Sequence, residues 1–177
     1  MQPLIYDVAV SVDGFICGPE ADVSAFPHTG QIVDDYVTRL GTYAHCVMGR
    51  HTYEFGYAFG MKPGQNPYPH MDSYVVSETV FLPEEPDVTV ISAQASKAVA
   101  ALKARATGAV YLCGGGMLAG HLLAAGLIDR LRLKRAPVFL GSGTRIFGTN
   151  ANPVTGPLLD QRDYADGYRY QEFDLSG

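Results

Sequence analysis

The sequence has no tryptophan, and its three cysteines, Cys17, Cys46 and Cys113, form no C-x-x-C pair. An odd number of cysteines without paired spacing argues against a disulfide framework or a zinc ribbon and predicts reduced thiols. The histidines form no H-E-x-x-H motif, so we expect no bound metal. No apolar run approaches the ~18 residues of a membrane span, and residues 1–7 lack the basic start of a signal peptide. We therefore expect a cytoplasmic protein without a membrane partner.

Basic residues are also scarce. The chain has 13 Lys and Arg against 18 Asp and Glu, and the resulting net charge of −5 argues against a nucleic-acid partner. Hydrophobic residues make up 47% and charged residues 18%, which is apolar enough to build a core and argues against disorder. There is no internal repeat, and the Pro- and Gly-rich stretch at residues 61–69 is too short to separate two domains. We expect one domain over residues 1–177.

Apolar runs and helical spacings alternate along the chain. The apolar and β-branched runs predict strands at residues 4–12, 44–48, 73–77, 88–92, 109–113 and 168–175, with one or two more within 127–140. Helical spacing predicts helices at residues 31–43, 95–106 and 117–125. Strands separated by helices predict a three-layer α/β/α fold with a mixed, mostly parallel sheet. The last strands lack intervening helices, so we expect them to pair antiparallel at one side.

Two segments combine a strand end with groups that bind phosphate. A buried strand at residues 110–113 leads into Gly114, Gly115 and Gly116 and then a helix, so that backbone N–H groups and a helix N-terminus can face an anion. The alternative is an ordinary glycine turn, and the segment is not the G-x-G-x-x-G fingerprint. A second strand ends at Gly49, followed by Arg50 and Thr52. These side chains can converge on a phosphate, or they can be a surface arginine and a helix cap.

A third segment, Ser11-Val12-Asp13-Gly14, ends the first strand in a turn. There the Asp13 carboxylate can bind a substrate, or it can stabilise its own turn.

In this order, the segments resemble the dihydrofolate reductase-like superfamily. VMGRHTYE (residues 47–54) is similar to the MGRxTxE segment of dihydrofolate reductases, VYLCGGGMLAGHLLAAGLIDRLRL (110–133) to the later Gly-Gly segment, and APVFLGSGTRIF (136–147) to a following strand. SVDGFI (11–16) and GLIDRLRLKRAPVFLG (126–141) look more like the C-terminal reductase domain of the bifunctional riboflavin-biosynthesis deaminase-reductase and its stand-alone relatives. The resemblance covers residues 4–173.

The resemblance implies an NADPH site across the carboxyl ends of the strands. Gly49, Arg50, Thr52 and Ser77 would lie on the adenosine side, with Arg50 near the 2′-phosphate. The remaining implied positions are Gly114, Gly115 and Gly116 at the diphosphate, Met117 and Leu118 at the start of the next helix, Ala9 and Val10 at the nicotinamide, and Asp13 near the substrate.

Two departures from the dihydrofolate reductase pattern bear on the substrate and the cofactor. Glu78 follows Ser77 where that family often has a basic residue, which leaves the choice between NADPH and NADH open. The helix carboxylate that binds the pterin aligns with about Val33, with Asp34 and Asp35 beside it. One residue turns a helix by about 100°, so the side chains of these two acids can point away from the substrate.

We therefore expect an NADPH-dependent reductase of the riboflavin-biosynthesis type, similar to 5-amino-6-(5-phosphoribosylamino)uracil reductase. Asp13 is the first candidate catalytic residue, and Asp34 and Asp35 are the next. The alternatives are a dihydrofolate reductase, a reductase that uses flavin or deazaflavin, and a nucleotide-binding protein without turnover. The last strands leave a sheet edge that no helix covers, and such an edge tends to find a partner. The resemblance also implies a homodimer.

Overall fold

The apolar runs of the sequence become the strands of one sheet in the computed structural model, which describes residues 1–149 and 153–177. The strands are β1 (Leu4–Val10), β2 (Phe15–Cys17), β3 (His45–Gly49), β4 (Asp72–Val76), β5 (Thr89–Ile91), β6 (Val110–Gly114), β7 (Arg130–Arg135), β8 (Thr144–Arg145), β9 (Leu158–Asp163) and β10 (Arg169–Asp174). The helices are α1 (Gln31–Leu40), α2 (Arg50–Phe55), α3 (Ala95–Arg105) and α4 (Gly116–Ala124), and short 3-10 turns cover Pro19–Ala21, Gly56–Phe59 and Ala165–Gly167.

In the described residues the main sheet has the strand order β5-β4-β3-β6-β1-β7-β10-β9. Its pairs are parallel except those of β10, which runs antiparallel to both β7 and β9. The short strands β2 and β8 pair with each other beside it. The parallel strands β1, β3 and β6 therefore have their carboxyl ends at the same edge of the sheet. Ligands bind at this edge in open α/β sheets.

Alternation along β1 separates two cores. Leu4, Tyr6 and Val8 pack with residues of α3 and α4, whereas Ile5 packs with residues of α1 and α2 on the opposite face. Helices therefore cover both faces, and the predicted three-layer α/β fold with a mixed, mostly parallel sheet is confirmed. Asp7 shares the face of Ile5, because side chains two residues apart on a strand lie on the same side.

The sequence prediction can be compared with the structure at three places. The helix predicted to reach residue 43 ends at Leu40, just before Gly41. The segment 127–140, predicted to hold one or two strands, holds one, β7, because Pro137 has no N–H group to continue the pairing. Strand β9 was not predicted, since its sequence LLDQRD is largely polar and its residues are exposed.

In the part of the chain that the structure describes, no helix is long and apolar enough to cross a membrane.

Candidate active site

The carboxyl ends of β3 and β6 turn directly into α2 and α4 and lie side by side. A Cβ atom added to Gly49, at the end of β3, would lie 3.7 Å from the backbone nitrogen of Gly115. Gly114 has a φ of +125°, which residues with a side chain rarely adopt, and the peptide bond between Gly114 and Gly115 is cis. No described side chain caps the start of α4. The first N–H groups of a helix have no partner within the helix and can bind an anion.

A cavity of about 820 Å³, called the large cavity below, opens along these turns. It is lined by Gly49, Arg50, Thr52, Phe55 and the start of α4, and on the other side by the segment 16–28. Of the residues predicted to bind the cofactor, it contains Ala9, Gly49, Arg50, Thr52, Gly115, Gly116, Met117 and Leu118. The cavity also takes in residues that the sequence did not single out, among them Phe26, His28 and His121.

Three of the residues predicted for the cofactor lie outside the lining. Val10 is buried beneath the cavity at 4% exposure, and Gly114 is buried behind Gly115. The Ser77 hydroxyl accepts hydrogen bonds from the backbone N–H groups of Thr79 and Val80 at 3.0 and 2.9 Å, and so stabilises its own turn. Burial accounts for Val10 and Gly114, and the turn accounts for Ser77, without a bound ligand. The predicted cofactor contacts of these three residues stay predictions.

Asp13 ties two loops together. Its carboxylate accepts a hydrogen bond from the Ser11 hydroxyl at 2.6 Å and others from the backbone N–H groups of Leu140 and Gly141 at 3.1 and 2.7 Å. The bond from Ser11, together with those from Gly141 and Leu140, lowers the pKa of Asp13 to about 2. Asp13 lines neither the large cavity nor the smaller one described next. This geometry favours a structural role for Asp13, and its predicted substrate contact stays a prediction.

A smaller cavity of about 390 Å³, called the small cavity below, adjoins the large one. The two share one wall, made of Val8, Ala9, Pro27, His28 and Cys113. Because Ala9 lies in this wall, a ligand in either cavity lies close to the end of β1. Two ligands that occupy the cavities together would therefore lie close to the same five residues.

The first helix presents Val33, rather than an acid, to the small cavity. Asp34 is exposed on the outer side of α1, and the Asp35 carboxylate accepts hydrogen bonds from Tyr164 at 2.7 Å and Arg162 at 3.4 Å. Neither acid lines a cavity described here. The step of one residue along the helix accounts for this, and the predicted catalytic roles of Asp34 and Asp35 receive no support from their positions.

The charged groups in the wall of the small cavity are Asp7 on β1 and Lys134 on β7. The two side chains form an ion pair with 2.8 Å between Lys134 Nζ and Asp7 Oδ1. Asp7 Oδ2 accepts from Arg39 Nε at 3.0 Å and from the Tyr43 hydroxyl at 3.2 Å. Burial alone would raise the pKa of Asp7, but the charges of Lys134 and Arg39 outweigh it, so that the pKa lies below its usual value.

Sequence reasoning missed this pair, although a signal was present. Asp7 is a charged residue within the apolar strand LIYDVAV, and a charge in such a strand needs a buried partner. In β7, Arg132 and Lys134 alternate with Leu131 and Leu133, so the two basic side chains share one face of the strand. The register of β1 and β7, which brings Asp7 and Lys134 together, cannot be seen in the sequence.

Another part of the wall of the small cavity is made of Tyr36, Tyr111 and Cys113. The Tyr36 and Tyr111 hydroxyls are 2.8 Å apart, and the Tyr68 hydroxyl lies 3.4 Å from Cys113 Sγ. Hydrogen bonding to Cys46, assisted by Tyr68 and Tyr111, lowers the pKa of the Cys113 thiol to about 6. Among the described residues, no group of His, Cys, Asp and Glu side chains is placed to hold a metal ion.

Comparison with known proteins identifies a family and a fold. The family profile of the RibD C-terminal domain matches residues 2–166. A structure from Shewanella sp. PV-4, provisionally named a riboflavin biosynthesis protein, has 21% identity and a TM-score of 0.80, with 98% of each chain covered. The diaminohydroxyphosphoribosylaminopyrimidine deaminase/5-amino-6-(5-phosphoribosylamino)uracil reductase of Thermotoga maritima has 15% identity and a TM-score of 0.73, over 98% of this chain and 56% of that one.

A dihydrofolate reductase from Enterococcus faecalis, in complex with NADP(H) and RAB-propyl, has 15% identity and a TM-score of 0.71. The alignment covers 97% of this chain and 95% of that one. At identities this low, the TM-scores of these structures show a shared fold alone. Curated protein sequences gave no match.

Proposed function

The chain belongs to the RibD C-terminal domain family, and on this premise we propose that it binds NADPH in the large cavity and reduces a small heterocyclic or ribosyl substrate in the small cavity. The family is that of the riboflavin-biosynthesis reductases, and the chain is an oxidoreductase of that type. Our proposed substrate class is that of 5-amino-6-(5-phosphoribosylamino)uracil, which the name of the Thermotoga maritima enzyme contains. We place the activity in the cytoplasm, in keeping with three free cysteines.

The observation that carries this proposal is a glycine-walled cavity with a second cavity against its inner end. A Cβ atom at Gly115 would lie 3.2 Å from Thr52 Oγ1, and one at Gly116 would overlap the carbonyl oxygen of Arg145. Side chains are therefore excluded at the start of α4, where the N-cap residue Gly115 has no capping side chain. This donor set suits a diphosphate, because backbone amides and the helix N-terminus both favour negative charge.

In this proposal each end of the large cavity has a separate task. Gly115 and Gly116 bind the diphosphate, with Met117 and Leu118 beside them, and Arg50 binds the 2′-phosphate. When bound, the reduced nicotinamide supplies a hydride. Ala9, Pro27 and His28 position the two reacting rings at the shared wall, and Phe26 excludes water from it.

Cofactor binding is tested by thermal unfolding. NADPH should raise the melting temperature with increasing concentration, because a ligand that binds the folded state stabilises it by mass action. Gly115→Val should abolish the shift, since its side chain would fill the space between Gly115 and Thr52. Gly41→Val, at the end of α1 and away from both cavities, is the control that should keep it. No shift with NADPH or NADH would refute the proposal, and a shift with a flavin or deazaflavin alone would replace the cofactor.

Turnover separates the two reductase readings. We expect oxidation of NADPH with 5-amino-6-(5-phosphoribosylamino)uracil to exceed that with dihydrofolate, because α1 presents Val33 and no acid to the small cavity. Faster turnover of dihydrofolate would favour the dihydrofolate reductase alternative. Cofactor binding without oxidation of NADPH by either substrate would indicate a nucleotide-binding protein.

A further inference from the structure

The ion pair between Asp7 and Lys134 is buried at the wall of the small cavity. The Asp7 side chain is fully buried, and the Lys134 side chain is 12% exposed. Removing two charges from water is costly unless both are well paired. Asp7 is well paired, because its two oxygens accept from Lys134, Arg39 and Tyr43. Both oxygens of the Asp7 carboxylate are therefore hydrogen-bonded without a ligand.

Lys134 is different. An ammonium group carries three N–H donors. In the described residues Lys134 Nζ has one oxygen acceptor, Asp7 Oδ1, and it lies 3.5 Å from the centre of the Tyr36 ring. At least one N–H of this largely buried ammonium therefore has no oxygen acceptor among the described residues and is available on the side that lines the small cavity.

A second buried lysine provides a comparison within the same chain. Lys103 Nζ lies 2.6 Å from Asp129 and donates to the carbonyl oxygen of Leu127 at 2.7 Å. It therefore has two oxygen acceptors, and it lines neither cavity. Lys103 stabilises the contact between α3 and the segment before β7. In the described residues Lys134 Nζ contacts β1 through Asp7 and α1 through the Tyr36 ring, and it has no second oxygen acceptor.

We propose that Lys134 donates the proton of the reduction and that Asp7 is its positioning residue. This inference rests on the function proposed above. When a C=O or C=N bond of the substrate gains a hydride at carbon, its π electron pair moves to the oxygen or nitrogen, which then takes one proton. An N–H bond of Lys134 breaks, its electron pair stays on Nζ, and the neutral amine regains a proton from water. The substrate class is thus a ring or open-chain compound with a polarised carbonyl or imine.

The electrostatics agree with this geometry. Burial lowers the pKa of Lys134, and the Asp7 carboxylate opposes that shift. A lysine with a lowered pKa gives up its proton more readily than an ordinary one. The titratable and charged groups around Lys134 are Asp7 on β1, Tyr36 and Arg39 on α1, Cys113 on β6, Tyr170 opposite it on β10, and His28 in the wall of the same cavity.

Lys134→Arg is the decisive variant. Arginine keeps the positive charge opposite Asp7, so we expect Lys134→Arg to fold, which its melting curve checks. A guanidinium stays protonated and does not act as an acid. We expect kcat with 5-amino-6-(5-phosphoribosylamino)uracil or dihydrofolate, whichever the wild type reduces, to fall by at least ~100-fold. The NADPH-induced rise in melting temperature should be unchanged, because Lys134 does not line the large cavity. Lys103→Met is the matched control, which should lower the melting temperature and keep kcat.

The pH profile distinguishes proton donation from packing. The wild-type rate should fall as the pH rises through the pKa of Lys134, and this alkaline limb should be lost in Lys134→Arg. Asp7→Asn removes the charge that supports the ammonium, so the limb should move to lower pH. A limb that persists in Lys134→Arg would assign it to another group.

A readout without turnover completes the test. In the cofactor-free protein, NMR titration of the lysine ammonium signals should give one pKa below the ordinary lysine value of ~10.4. That signal should be missing in Lys134→Arg, and its pKa should fall further in Asp7→Asn. Full kcat with an unchanged limb in Lys134→Arg would overturn the role of Lys134 while the reductase function stands. A wild type that neither binds NADPH nor oxidises it would overturn both proposals.

Discussion

Arg50 lies at the mouth of the large cavity, beside the side chains of two neighbours on α2. Its Nη2 is 3.1 Å from His51 Nε2, and its Nη1 is 3.8 Å from the Glu54 carboxylate. Both contacts are at the surface, where such pairs contribute little to stability. The structure therefore leaves the guanidinium able to bind a phosphate.

Arg50→Ala should weaken NADPH binding by at least ~10-fold more than NADH binding, because a charge-assisted hydrogen bond is worth roughly 1.5–3 kcal/mol. Glu78→Arg should do the opposite, by replacing a negative charge with a positive one. Calorimetric titration of both cofactors measures the difference, and Arg105→Ala, at the end of α3, is the control. An equal loss for NADPH and NADH would show that Arg50 does not contact the 2′-phosphate.

Asp13 has a stability role that can be followed by pH. Hydrogen bonds from Ser11, Gly141 and Leu140 lower its folded-state pKa to about 2, below the ~3.9 of an ordinary Asp. A lowered carboxyl pKa stabilises the fold above the unfolded value and loses that contribution as the pH falls through the folded value. Asp13→Asn should therefore melt below wild type near neutral pH, with a gap that closes toward about pH 2.

Circular dichroism melting curves over this pH range measure the gap. Asp34→Asn is the control, because Asp34 is exposed and should melt as wild type throughout. Catalytic assays on the same two variants test the alternative, in which Asp13 contacts the substrate. A loss of turnover in Asp13→Asn without a loss of stability would return Asp13 to the substrate contact that the sequence suggested.

Among the elements, the turn before α4 depends most strictly on glycine. A side chain at Gly116 would overlap the backbone at Arg145, whereas one at Gly49 meets nothing closer than 3.7 Å. Gly116→Ala should therefore lower the melting temperature clearly, and Gly49→Ala should fold as wild type. Gly49→Ala should still reduce NADPH affinity, because its methyl group narrows the large cavity. Normal folding of Gly116→Ala would show that β8 can move away from α4.

The sequence predicts the elements of this cavity because their signals are local. The run from β6 through Gly114 to α4 carries the apolar strand, the glycines and the helix in consecutive residues. The same holds for β3, Gly49 and α2. Strand β9 escapes prediction, since an exposed edge strand has no apolar alternation to reveal it.

The small cavity could not be predicted in the same way. Three different elements supply its polar wall: β1 with Asp7, β7 with Lys134 and α1 with Tyr36. They meet because Ala9 of β1 pairs with Lys134 and because α1 packs on this face of the sheet. Val33, Asp34 and Asp35 show the limit most clearly. Their order was known, yet the direction of each side chain depends on a helix rotation that only packing determines.

On the scale of the whole molecule, β9 forms an exposed edge of the sheet, with Leu158 and Leu159 about half exposed. Unpaired strand edges tend to find partners. We expect a homodimer through this edge, and light scattering should give twice the chain mass of 19.1 kDa. Leu158→Lys should shift the protein toward monomer, whereas Val37→Lys, at an equally exposed apolar residue on α1, should not. A wild type of 19.1 kDa at micromolar concentration would contradict this expectation.

The wall shared by the two cavities has a consequence for inhibition. Both cavities are bordered by Val8, Ala9, Pro27, His28 and Cys113, so we expect that a single molecule can be built to occupy both. A compound that joins a nicotinamide mimic to a pyrimidine loses its translational freedom once, whereas two separate ligands lose it twice. Such a bisubstrate compound should bind more tightly than either half, and the length of its linker would measure the distance between hydride donor and acceptor.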